Sequence, residues 1–146
     1  MKDLPLGVQT FKKMRENDFV YVDKTQFVYN IARKESNSFL SRPRRFGKSL
    51  LLETFRELFL GHQELFKGLW IYDKWDWSKT YPVIHLSFDK MDYRDMGLDK
   101  AISYELKRWA KKYNVTFTND FYKTQFHTDF LNPLQPLFVV QLIQSC

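Results

Sequence analysis

Cysteine is all but missing from this chain of 146 residues: the only one is Cys146, at the last position. A single thiol excludes a disulfide framework and any cysteine-based zinc site. Glycine and proline are sparse, five of each and scattered, so no linker, collagen-like repeat or low-complexity segment is read. No stretch near the N-terminus joins basic residues to an apolar run and a cleavage site. No secretory signal is therefore expected, and a reduced, cytoplasmic setting is. Charge is missing from one place only: nothing after Asp129 is Asp, Glu, Lys or Arg. That uncharged tail, broken by Pro133, Pro136 and the glutamines at 135, 141 and 144, is too short to span a bilayer comfortably. No membrane partner is expected.

What is present suffices for about one domain. The apolar fraction of 44% supports a core, and 27% charged residues excludes intrinsic disorder. The charge is uneven. The first sixty residues carry 12 basic and 7 acidic side chains, so they hold nearly all of the net +6. A basic excess of this kind suits a polyanionic partner.

Hydrophobic patterning gives a coarse organisation. Phe19-Val20-Tyr21-Val22 is a short β-branched and aromatic run ending at Asp23, which can cap a helix over residues 24–33 with Phe27, Val28 and Ile31 at helical spacing. Residues 38–41, Ser-Phe-Leu-Ser, read as a buried strand, and residues 42–47 as a loop punctuated by Pro43 and Gly47. A strong helix is predicted over 48–60, with Leu51, Leu52, Phe55, Leu58 and Phe59 on one face and Gly61 at its end. Pro82 introduces a strand over 83–88, where Ile84, Leu86 and Phe88 alternate with His85 and Ser87. A second helix is predicted over 98–113, with Leu98, Ile102, Leu106, Trp109 and Tyr113 in one stripe and Lys107, Arg108, Lys111 and Lys112 on its far face and last turns. Strands alternating with helices indicate an α/β architecture.

The sharpest local feature lies where the first of these strands meets the strong helix. The loop ends in Gly47-Lys48-Ser49, and a helix N-terminus presents free backbone N–H groups and a positive dipole end to an anion. Gly47 lets the backbone approach a phosphate, Lys48 can reach β- and γ-phosphates, and the Ser49 hydroxyl suits Mg²⁺. The usual pattern G-x-x-x-x-G-K-[ST] asks for a first glycine, and this chain has Arg42 there. A bare Gly-Lys-Ser/Thr arises by chance in about one chain in ten of this length, so the strand–loop–helix setting is what singles this one out. Arg42, Arg44, Arg45 and Lys48 place four cations in seven residues. The residues alone leave open a triphosphate, a nucleic acid held by the basic loop, or a merely solvated basic turn.

The run Arg42-Pro43-Arg44-Arg45-Phe46-Gly47-Lys48-Ser49-Leu50 resembles the phosphate loop (Walker A) of the predicted AAA-ATPase-like family of prokaryotic proteins, in which Arg-Pro-Arg-Arg-Phe-Gly-Lys-Ser is characteristic. Leu4-Pro5-Leu6-Gly7 with Phe11 resembles the opening of that family, and Tyr21-Val22-Asp23-Lys24-Thr25 its second block. Leu65-Phe66-Lys67-Gly68-Leu69 and Tyr81-Pro82-Val83-Ile84 are similar to its third and fourth. The resemblance covers residues 4–130. It implies a P-loop NTPase-like three-layer α/β/α core, incomplete at its C-terminal side, that binds ATP with Mg²⁺. Arg44, Arg45, Phe46, Gly47, Lys48 and Ser49 would form the nucleotide site, with Lys48 on the β/γ charge and Ser49 on the metal. Many members of the family carry a PD-(D/E)XK nuclease-like domain after this region.

Hydrolysis needs a carboxylate after a further strand to help hold Mg²⁺, and a group to position water. The family supplies it as apolar residues followed by Asp-Glu-Tyr-Asp, and this chain has no such segment. Its apolar run Leu137-Phe138-Val139-Val140 leads into Gln141-Leu142-Ile143-Gln144. Asp89 is a weak substitute, and Asp92 and Asp95 read as solvated or helix-start acids. The expectation is a truncated family member, with residues 1–130 native domain and 131–146 an atypical, non-native tail. The alternative is that the tail is an amphipathic strand or helix capping the fragment. Whether this chain is an enzyme is left undecided by its sequence.

The other constellations read as structural. His62, His85 and His127 share no metal-ligand spacing, and most of the 26 aromatics sit at core periodicities. Trp70, Trp75 and Trp77 cluster in a loop-like stretch that suits a sheet edge or a partner. Asp23-Lys24-Thr25 reads as a helix cap or as a border of the nucleotide base. The rival functional class is a non-enzymatic basic module binding nucleic acid or a protein partner through Arg42, Arg44, Arg45 and the lysine-rich helix end near Lys111. Assembly into an oligomer stays open.

Overall fold

The computed structural model describes residues 2–8, 10–34, 38, 40, 41, 43, 46–87, 93–114 and, as backbone, 138–142. The chain divides into two compact units, Met1–Thr80 and Tyr81–Cys146.

The first unit is helical among the described residues. Helix α1 spans Phe11–Glu16, α2 Thr25–Ala32 and α3 Lys48–Phe59, and a 3₁₀ turn covers Gln63–Phe66. Burial explains why so short a helix as α1 persists. Phe11 and Met14, three residues apart on one face, are both buried. Phe11 is fully enclosed, with the Tyr21 ring edge-on at 5.2 Å and the Phe66 ring at 4.9 Å. Enclosing a phenylalanine side chain stabilises by about 2–3 kcal/mol, which offsets the missing side-chain cap at Thr10. Val28 of α2, Leu58 and Phe59 of α3, and Ile71 complete the core.

Two polar clamps close this unit across long sequence separations. Arg15 donates from Nε to the Leu65 carbonyl at 2.8 Å and from its terminal nitrogen to the Lys67 carbonyl at 2.6 Å. These bonds satisfy carbonyls at the end of the 3₁₀ turn that no helix partner reaches. Asp23 accepts from the Thr25 amide (2.8 Å) and the Thr25 hydroxyl (2.7 Å) through Oδ1, and from the Trp70 amide (2.7 Å) through Oδ2. The buried Thr25 hydroxyl in turn accepts from the Ile71 amide at 3.2 Å.

Trp70, Trp75 and Trp77 cover helices rather than a sheet edge. The Tyr29 ring of α2 lies 5.5 Å from Trp70, the Phe59 ring of α3 lies 5.7 Å from Trp75, and Phe66 lies 5.2 Å from Trp77. The Trp77 indole N–H donates to the Tyr72 carbonyl at 2.7 Å.

The second unit is a β–α–β arrangement. Strand β1 spans Val83–Ser87, a short helix α4 Tyr93–Met96, α5 Leu98–Tyr113, and β2 Phe138–Leu142. The two strands pair in parallel, with Val83 opposite Phe138 and Ser87 opposite Leu142. A parallel pair needs a long crossover, and α4 and α5 lie in it. Ile84 and Leu86, on one face of β1, pack with Ala101 and Leu106 of α5, flanked by Ile102, Trp109 and Tyr113. The Tyr113 hydroxyl accepts from the Val83 amide and donates to the Val83 carbonyl, both at 3.0 Å.

The α/β alternation is present as this unit, and β2 falls within residues 131–146. The strand expected over 38–41 is not formed among its described residues, Ser38, Leu40 and Ser41. A strand needs a partner ladder, and none of the described residues of the first unit supplies one. Phe39, Phe88, Asp89, Asp92 and His127 lie outside the described residues. Asp95 lies exposed in the first turn of α4. Among the described residues no helix is long and apolar enough to cross a membrane.

Candidate functional site: the N-terminus of α3

Helix α3 is the best-anchored helix of the first unit. Phe55, Leu58 and Phe59 are buried on its inner face, and Phe55 stacks on Phe59 with ring centroids 6.2 Å apart. Thr54, fully buried, returns its hydroxyl to the Leu50 carbonyl at 2.8 Å. Burial raises the Tyr21 phenol above its usual pKa, and the neighbouring Thr54 hydroxyl only partly opposes the rise.

The C-terminal end of α3 is also tied down. Glu57 is 2% exposed, and its carboxylate meets His62 Nδ1 at 2.5 Å and Arg56 at 3.6 Å. A buried carboxylate is tolerable only when partnered in this way. Gly61 follows with φ +77°, a conformation that suits glycine. His62 is thus structural, as its sequence setting suggested. Among the described residues no three His, Cys, Asp or Glu side chains cluster as metal ligands.

A helix held along its length presents its free end in a fixed direction. That end starts at Gly47, with φ +73° and ψ +19°, the left-handed region. The Leu51 amide already bonds the Gly47 carbonyl at 2.9 Å. The amides of Lys48, Ser49 and Leu50 precede that first intrahelical bond, and the N-cap residue, a glycine, has no side chain to cap them. A Cβ built on Gly47 would meet nothing within 4 Å. The glycine is therefore favoured by its backbone conformation, not by crowding against the described residues. Lys48 is half-buried, and Ser49 and Phe46 are exposed. Lys48 and Ser49 are the first two residues of the helix, which places an ammonium and a hydroxyl at the positive end of the dipole.

The structure thus brings Phe46, Gly47, Lys48 and Ser49 together at one helix end. Arg42, Arg44 and Arg45 lie outside the described residues. The Asp23-Lys24-Thr25 block sits apart from them in role. Both oxygens of Asp23 and the hydroxyl of Thr25 are engaged by the protein, holding α2 to the segment at Trp70 and Ile71. Burial works against ionisation of Asp23. The bonds from the Thr25 hydroxyl and the Trp70 and Thr25 amides outweigh it and lower the carboxyl below its usual 3.8. Sequence reasoning missed this latch because one partner lies 47 residues away.

Comparison with known proteins adds the following. The model of a family described as a predicted AAA-ATPase matches residues 5–139. An uncharacterized protein in the vnfD 5′ region of Azotobacter chroococcum mcd 1 is 53% identical over 95 residues. That match covers 64% of this chain and 18% of the relative, so the chain corresponds to a minor part of the relative's length. No solved structure matches.

Proposed function

The chain belongs to the predicted AAA-ATPase-like family, and from that premise we propose that its Arg44–Ser49 loop binds ATP together with Mg²⁺. The observation that carries the reading is the N-terminus of α3, opened by a left-handed glycine, Gly47, that offers no side-chain cap. Phosphate oxygens would accept from the amides of Gly47, Lys48 and Ser49. Lys48 would neutralise β/γ charge, the Ser49 hydroxyl would ligate the metal, and Arg44, Arg45 and Phe46 would border the phosphates. The donor set fits a hard cation beside a triphosphate, since it offers oxygen and ammonium groups and no thiolate. A bound Mg²⁺ supplies charge neutralisation between phosphate oxygens. A three-layer α/β/α core is the fold that family membership would give to this loop's surroundings.

Cleaving the γ-phosphate asks for a carboxylate following a core strand, and Ile143-Gln144-Ser145-Cys146 after β2 include none. The function proposed for these residues is weak nucleotide binding with little or no hydrolysis.

The test is a thermal-shift series with Mg-ATP. A ligand at a hundred times its Kd stabilises by about 2.7 kcal/mol, a readily measured rise in melting temperature. Ser49→Ala is expected to remove the dependence of that rise on Mg²⁺ while leaving a smaller shift with ATP alone. Equal and salt-sensitive shifts with ATP, DNA and inorganic polyphosphate would contradict the proposal and favour the basic-module reading.

A further inference from the structure

Helix α5 carries Lys100, Lys107, Arg108, Lys111 and Lys112, and the structure sorts these cations into two groups. Lys112 is taken up by the protein: its ammonium sits 4.7 Å from the Trp109 ring centroid and 5.5 Å from that of Tyr113. Arg108 is taken up as well, paired with Glu105 at 3.1 Å. Lys100, Lys107 and Lys111 are exposed and form no ion pair with any described residue. At 3.6 residues per turn, positions 100, 107 and 111 fall within about 40° of one another around the helix axis. The three lysines therefore form one straight line, about 16 Å long at 1.5 Å per residue. Tyr104 lies on the same line, between the first two lysines, and is 64% exposed.

The acids of the helix stand elsewhere. Glu105 falls at least about 120° from each of the three lysines and is already paired, and Asp99 lies about 80–120° from them. Away from this line α5 packs on β1 through Ala101 and Leu106, flanked by Ile102, Trp109 and Tyr113. No apolar stripe is left for insertion into a lipid surface, which argues against an interfacial membrane helix. A line of ammoniums interleaved with one exposed aromatic ring matches a charged backbone with unstacked bases beside it.

The geometry points to the Lys100–Tyr104–Lys107–Lys111 face of α5 as a binding surface for single-stranded nucleic acid. The three lysines would contact backbone phosphates, and Tyr104 would stack on an unpaired base. Binding at this face does not depend on nucleotide at the Gly47 loop.

The test uses the full chain and a fluorescent single-stranded oligonucleotide of mixed sequence, with anisotropy read from 50 to 200 mM salt. Three phosphate contacts predict a slope of log K against log salt near −2, a loss of about twentyfold over that range. The variant with Lys100→Gln, Lys107→Gln and Lys111→Gln retains good helix formers at exposed sites. It should keep the wild-type melting temperature and lose most of the slope. Tyr104→Ala should weaken binding about tenfold with the slope unchanged. Lys112→Gln should bind as wild type does.

Three results would overturn the assignment. One is an unchanged slope in the triple-lysine variant. Another is loss of binding in Arg44→Gln/Arg45→Gln with the triple variant unaffected, which would move the contact to the loop. The third is tighter, lysine-dependent binding to phosphatidylserine vesicles than to the oligonucleotide.

Discussion

Replacing Asp23 by alanine should destabilise the first unit by about 2 kcal/mol without touching nucleotide affinity. The carboxylate accepts three hydrogen bonds, from the Thr25 amide, the Thr25 hydroxyl and the Trp70 amide, all between 2.7 and 2.8 Å. Bonds to an ionised group contribute about 1.5–3 kcal/mol when buried. Asp23 is an exposed residue, so solvent screening reduces each to well under half of that. Three such bonds sum to about 2 kcal/mol, with the buried Thr25 hydroxyl losing its acceptor as part of the cost. At a urea m-value of about 1–3 kcal/mol per molar, the midpoint falls by about 1 M with m unchanged.

The pH dependence follows from the lowered carboxyl of Asp23. A depressed folded pKa contributes stability that is complete above the unfolded value and is lost as pH falls through the folded value. The gap between wild type and Asp23→Ala should therefore be constant at neutral pH and narrow below the usual 3.8, towards what the neutral carboxyl's remaining acceptor oxygen supplies. Asp23→Asn keeps one acceptor oxygen and should lose about half as much, because its amide nitrogen cannot accept from a backbone N–H. Urea unfolding followed by tryptophan fluorescence reads all of this. Equal midpoints for Asp23→Ala and wild type would refute the latch. Unchanged stability with weakened Mg-ATP binding would place Asp23 at the nucleotide instead.

Other expectations are as concrete. Gly61 and Gly68 both have φ +77°, but only at Gly61 does an added Cβ meet a neighbour, the Thr80 methyl at 2.8 Å. Gly68→Ala should cost about 1–2 kcal/mol for the left-handed backbone and Gly61→Ala at least about 1 kcal/mol more. Equal urea midpoints for the two would refute the clash. Tyr113→Phe removes the hydroxyl that bridges the Val83 amide and carbonyl. It should cost about 1–2 kcal/mol and speed hydrogen exchange at the Val83 amide, and unchanged exchange would contradict that bridge.

Where a helix carries its own periodic signal, the sequence located it. The α5 bounds match the expectation, and α3 ends one residue short of it, because a long apolar stripe fixes both. Helix α2 begins at Thr25 and ends at Ala32, one residue inside each expected end, with Asp23 bonding its first amide from just outside. Helix α1 was not legible: six residues with no side-chain cap and no acid in the first turn give no local cue. What stabilises it is Phe11 against Tyr21 and Phe66, far apart in the chain. The Arg15 clamp on the Leu65 and Lys67 carbonyls is invisible for the same reason.

The candidate site shows the same division. Gly47, Lys48 and Ser49 were legible as a tripeptide opening a strong helix, and the left-handed Gly47 agrees with that. The basic face of α5 was legible only as a set of four cations. Which of them the protein uses internally depended on Trp109 and Glu105 as packed neighbours.

The central claim is the phosphate cradle at the start of α3, and calorimetric titration of Mg-ATP into wild type and Lys48→Ala tests it most directly. Loss of a charge-assisted bond of about 1.5–3 kcal/mol predicts at least tenfold weaker binding in the variant, at an unchanged melting temperature without ligand. Equal affinities in the two proteins, or no heat of binding to either, would contradict it.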